Sequence, residues 1–97
     1  MATYVTLLRF TQSGMKQVKE TPARLDRAKA ACRAAGGELK AFYLTLGQYD
    51  AVVISEFPTE EAFLKAFLTI GSAGELSMET LRAFTEKDYR QAITELP

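Results

Sequence analysis

The sequence predicts an α+β fold, a four-stranded antiparallel sheet carrying its main helices on one side. Three observations lead there. Four short runs, residues 3–10, 39–46, 51–57 and 75 or 76–84, are dense in β-branched, aromatic and aliphatic side chains. Two stretches with apolar residues at helical spacing lie between the first and second runs and between the third and fourth. Only Gly47-Gln48-Tyr49-Asp50 joins the two middle runs, and it reads as a tight hairpin turn.

The first run alternates. Tyr4, Thr6, Leu8 and Phe10 share one face; Thr3, Val5, Leu7 and Arg9 share the other. Both faces are substantially apolar, so this strand needs cover on both sides. Thr11 or Ser13 can cap the helix that follows. Met15, Val18, Leu25, Ala28 and Cys32 form its apolar stripe, flanked by Ala31 and Ala35. Pro22 lacks an N–H and crowds the preceding turn, which predicts a kink near Glu20-Thr21. Gly36-Gly37 ends the helix.

In the second run Leu39, Ala41, Tyr43 and Thr45 are expected opposite Lys40, Phe42, Leu44 and Leu46. The third is apolar on both faces, through Val52 and Ile54 and through Ala51 and Val53. Thr59 caps the next helix, and Glu60 and Glu61 suit the positive end of its dipole. Ala62, Phe63, Ala66, Phe67 and Ile70 are its buried stripe, and Gly71 ends it. Ser72-Ala73-Gly74 is a small-residue loop before the fourth strand. Thr85, with Asp88 three residues on, opens a last short helix whose Tyr89, Ala92, Ile93 and Leu96 line one side.

The order β-α-β-β-α-β with a terminal helix is the split β-α-β, ferredoxin-like arrangement. Right-handed crossovers then give the spatial strand order 4-1-3-2. Helices on one side leave the other sheet face bare and apolar, which is uncommon in a monomer. A second copy of the chain is therefore the expected partner, as a homodimer or a higher homo-oligomer.

Size and composition set bounds. A chain of 97 residues is expected to form one domain, 1–97, burying only roughly two thirds of its unfolded surface. Hydrophobic residues at 47% and charged residues at 25% suit a soluble globular protein. No apolar run reaches the ~18 residues of a membrane helix. The chain enters a strand pattern at Thr3 with no leader pattern, and one cysteine, Cys32, excludes an internal disulfide. A cytoplasmic location is the expectation. Twelve basic and twelve acidic residues cancel, yet residues 16–40 hold seven basic against three acidic. Without a nucleic-acid motif this reads as a solvated helix face, and no nucleic-acid partner is expected.

Antiparallel topology brings Arg9, Tyr43, Thr45, Tyr49 and Asp50 to one end of the sheet. They are the candidate ligand-binding residues, suited to a small acidic or polar aromatic molecule: Arg9 for a carboxylate, the tyrosines for stacking and hydrogen bonds. The structural reading stands beside it. Gly47 supplies a positive φ, Asp50 bonds loop N–H groups or pairs with Arg9, and Tyr49 packs on the hairpin. At the other end Glu56 and Arg82 are expected to pair across the first strand. The sequence has no histidine, no metal-ligand spacing and no phosphate loop, so no cofactor or metal is expected and catalytic residues are unknown. Cys32 on the apolar stripe reads as a small hydrophobe.

Several segments carry a resemblance: YVTLLRFT at residues 4–11, VKETPAR at 18–24, LTLGQYDAVV at 44–53 and ETLRAFT at 79–85. In that order they resemble the GYD-domain family along nearly the whole chain. The family has no settled biochemical function. It is similar to the dimeric α/β-barrel superfamily, in which two ferredoxin-like sheets pack face to face. Relatives there include cofactor-independent monooxygenases, small isomerases, haem-processing enzymes and effector-binding domains of amino-acid-responsive regulators. The polar side chains gathered at one sheet end, without a recognisable catalytic set, point to a homodimeric small-metabolite-binding or sensor-like module. The alternatives are a cofactor-independent enzyme, monooxygenase- or isomerase-like, on a small polar or aromatic substrate, and a structural assembly module.

Overall fold

The structure, a computed structural model, describes residues 1–72 and 74–97; Ala73, in the small-residue loop, lies outside the described residues. In chain order the elements are β1 (Ala2–Phe10), α1 (Gln12–Lys16), a 3-10 turn (Val18–Glu20), α2 (Thr21–Ala34), β2 (Glu38–Leu44), β3 (Ala51–Phe57), α3 (Glu60–Gly71), β4 (Leu76–Ala83) and α4 (Glu86–Thr94). The sheet runs β2-β3-β1-β4 with every neighbouring pair antiparallel, which is the expected order.

Local chemistry explains the boundaries. Thr11 accepts the Gly14 N–H (3.1 Å) and starts α1, and Pro22 in the first turn of α2 divides the first helical stretch into three pieces. The break turns Met15 and Val18 out to solvent, so they do not join the core as their spacing suggested. Gly36, at φ 85°, ends α2 in a Schellman motif: the Gly37 N–H bonds the Cys32 carbonyl and the Gly36 N–H that of Arg33. Gly37 must be glycine for another reason. A Cβ there would strike the Phe57 ring and the Glu56 carbonyl. Thr59 caps α3 through the Ala62 N–H, and Thr85 and Asp88 complete the capping box of α4.

The core lies between the helices and one sheet face. Tyr4, Cys32, Phe57 and Ala66 form its centre, with Phe63 and Ile70 packed against them. Tyr4 stacks on Phe63 at 4.1 Å between centroids, and Phe57 meets both rings edge-on. Such pairs contribute about 0.5–1.5 kcal/mol each beyond their area. On the opposite face Val5, Leu7, Val52 and Ile54 are only half-buried.

Two expectations fail for reasons of facing. A bulge at Lys40 separates the pairings Leu39–Ser55 and Ala41–Ile54. It puts Leu39 on the helix side with Phe42 and Leu44, and leaves Ala41 and Tyr43 on the open side. The Glu56–Arg82 pair does not form. Glu56 stands opposite Thr3 on the open face, whereas Arg82 stands opposite Tyr4 on the helix face. Glu56 is instead 3.8 Å from Lys40, and Arg82 donates to the Thr3 carbonyl and lies over the Tyr4 and Phe84 rings.

Candidate functional site

The Gly-Tyr-Asp hairpin is built by its own polar groups. The Thr45 N–H bonds the Asp50 carbonyl (2.9 Å), and its hydroxyl donates to the Tyr49 carbonyl (2.6 Å). Gly47 takes φ 122°, where a side chain would be strained. Asp50 ties the hairpin to the central strand: its N–H donates to the Leu8 carbonyl and its carboxylate accepts the Phe10 N–H, both at 2.8 Å. Asp50 therefore takes the N–H-binding role and makes no ion pair with Arg9.

Arg9 reaches the same turn from β1. Its Nε donates to the Gln48 carbonyl (2.8 Å), and its guanidinium lies 4.9 Å from the Tyr49 ring centroid. The Tyr49 hydroxyl donates to Glu79 Oε2 at 2.5 Å. That hydrogen bond, some desolvation and the Glu79 charge hold the phenol above its usual range, against the opposing pull of Arg9. The phenol thus stays a donor at neutral pH. The structure brings four of the five candidates, Arg9, Thr45, Tyr49 and Asp50, into one bonded cluster. Tyr43 sits on the same sheet face opposite Val52, mostly exposed, and makes no hydrogen bond to the others among the described residues. Glu79 was missed. Its β4 position faces Leu7, and Tyr49 reaches it diagonally past β1.

A second feature occupies the other side of the sheet. A cavity of about 330 Å³ lies between the sheet and the helices α2 and α3, partly open to solvent. Its walls are mainly aromatic and aliphatic, with Cys32 and Ser55 in the lining. The cause is legible in the residues. Ala28, Ala31, Ala51 and Ala66 all face it, and four small side chains across one helix–sheet layer leave volume unfilled. At the end nearest the hairpin Arg24 pairs with Glu75 at 2.9 Å. Arg27 also lines the cavity and makes no ion pair among the described residues. Asp50 and Tyr49 are outside it. Burial holds the Cys32 thiol above the ordinary thiol range. Among the described residues no three potential ligands gather to hold a metal ion, and no helix is long and apolar enough to cross a membrane.

Comparison with known proteins bears on the fold and the family. The chain superposes on the crystal structure of FFRP-DM1 with a TM-score of 0.57 at 24% identity, over 87% of this chain and all of the other. The hypothetical protein PHS023 from Pyrococcus horikoshii gives 0.56 at 25% identity, covering 89% of this chain and 93% of that one. TTHA0845 from Thermus thermophilus gives 0.53 at 24% identity, covering 88% and 95%. None of the curated proteins matches. The pattern of the GYD domain matches residues 4–93, from β1 into α4 and across the hairpin that carries the Gly-Tyr-Asp turn. Spanning so nearly the whole chain, that match makes this protein a member of the GYD-domain family.

Proposed function

We propose that this chain is a homodimeric small-molecule-binding module, two sheets packed face to face, with its ligand taken up at the hairpin end. The observation that carries this reading is the open sheet face. Val5, Leu7, Val52 and Ile54 form its centre, and Tyr43 and Leu81 extend it to both edges. A contiguous apolar patch of that kind on a small domain favours a self-complementary interface. Helix α4 supports the same reading. Tyr89 and Ile93 are well exposed on it, as is Leu96 just past its end, so a second chain gives its apolar side something to cover.

The hairpin cluster forms one rim of that face. Arg9, Tyr43, Thr45, Tyr49 and Asp50, with Glu79, offer a cation, two phenols and two carboxylates to a small acidic or polar aromatic compound. Because most of these groups already bond one another, such a ligand binds by displacing the Arg9–Gln48 contact, not by finding vacant donors. The enzymatic alternative needs a base inside a deep apolar pocket. Asp50 and Tyr49 lie outside the one described above, and Asp50 is committed to the Phe10 N–H.

A thermal-shift screen of small carboxylates and phenols tests the ligand half. At least one compound is expected to raise the midpoint by several degrees, and Arg9→Met or Tyr49→Phe to abolish the rise for a rim-bound compound. A screen in which no compound stabilises the protein contradicts it.

A further inference from the structure

We infer that the helix-side cavity is a binding compartment for a monocarboxylic acid with an apolar, preferentially aromatic body. The inference goes beyond the reading above and needs neither the rim site nor the dimer, since every wall comes from one chain and Arg9, Tyr43, Thr45, Tyr49 and Asp50 are not among its lining residues. Its size, about 330 Å³, falls within the range of small-ligand pockets. A packed interior does not normally hold such a void, so the compartment has room for a small molecule.

The lining sets the chemistry. Five phenylalanines, Phe10, Phe42, Phe57, Phe63 and Phe67, supply ring faces and edges, and Phe57 and Phe63 belong to the buried aromatic cluster of the core. Their end excludes charge, because an unpaired ion there is too costly. The hairpin end is different. Phe10 and Leu76 pair there, Arg24 and Glu75 line it, and Arg27 lines the cavity one turn further along α2. Arg24 is bound to Glu75, so the pair fixes α2 against the start of β4 and forms a polar sill. Arg27, exposed on α2, makes no ion pair among the described residues and is available to a ligand carboxylate. An apolar body inside with an anionic head at the sill satisfies both ends.

Cys32 makes the test specific, because it is the sole cysteine and lines the compartment. Thiomethylation of Cys32 by methyl methanethiosulfonate in the native protein, in which the thiolate takes the methylthio group as a mixed disulfide and methanesulfinate leaves, is followed by mass spectrometry with naphthoate, decanoate, decanol or acetate present. Naphthoate is expected to slow labelling at least tenfold at saturation. Decanoate protects less, decanol requires about tenfold higher concentration than decanoate, and acetate has no effect. Arg27→Gln is expected to erase the preference for decanoate over decanol without erasing protection. Ala28→Phe fills the space and is expected to weaken naphthoate protection at least tenfold. Ala28→Leu is the milder filler should the larger one misfold by circular dichroism. The inference is overturned if neither acid protects Cys32, if Cys32 resists the reagent without any ligand, or if a folded Ala28 variant is protected as well as the parent. Sedimentation in the same buffers reports the dimer separately, so failure of the compartment and failure of the dimer are distinguishable.

Discussion

Asp50 joins three segments through one residue. Its backbone bonds Leu8 and Thr45, and its carboxylate takes the Phe10 N–H. Removing the carboxylate leaves a partly buried N–H without its partner, which costs about 1–3 kcal/mol. Asp50→Ala is therefore expected to lower stability by about 1–2 kcal/mol, and Asp50→Asn by less, because the amide oxygen still accepts; urea denaturation reads both. Cys32 predicts a pH effect. Burial raises its thiol pKa in the folded state. As pH rises past about 8.5 the unfolded chain loses this proton first, so stability falls from there and is undisturbed below. Urea midpoints at about pH 7 and about pH 9.5 are expected to differ less in Cys32→Ala than in the parent; an equal difference contradicts the assignment.

At the scale of elements, capping chemistry and glycine placement determine where helices begin and end. Thr59→Ala removes the acceptor of the Ala62 N–H and is expected to cost about 1 kcal/mol by denaturant titration. Much of this was legible in residue order. Thr11, Thr59, Thr85, Pro22 and Gly36 act locally, so their signals survive without knowledge of the fold. What was not legible depends on contacts between distant segments. The bulge at Lys40 exists only in pairing with β3, so a strict alternation misassigned Leu39. The Glu56–Arg82 pair was drawn from proximity along the sheet, and register places the two on opposite faces. Glu79 entered the hairpin cluster through a diagonal reach that spacing cannot reveal. The cavity was hidden for a related reason. Alanines at helical spacing read as core, and only the layer spacing makes them a void. The candidate residues themselves were brought to one end as topology required, with Tyr43 standing apart from the bonded four.

At the scale of the molecule, the shape is long for its size. The radius of gyration is 14.7 Å with a longest dimension of 53 Å, against about 12.5 Å for a compact chain of this length. The excess belongs with α4, whose residues are all exposed, and with a sheet covered on one side. The proposed second chain would meet both needs, burying the Val5, Leu7, Val52 and Ile54 face and offering the α4 stripe a surface. Val52→Glu would bury like charges near a two-fold axis, and is expected to weaken self-association at least about a hundredfold. Deleting residues 86–97 is expected to weaken it less, leaving the sheet face intact. Sedimentation equilibrium of the unmodified protein across micromolar concentrations is the most direct measurement. The account predicts a mass of twice 10.7 kDa, or a multiple of that dimer. A folded species that stays at 10.7 kDa throughout, with its open sheet face in water, contradicts it.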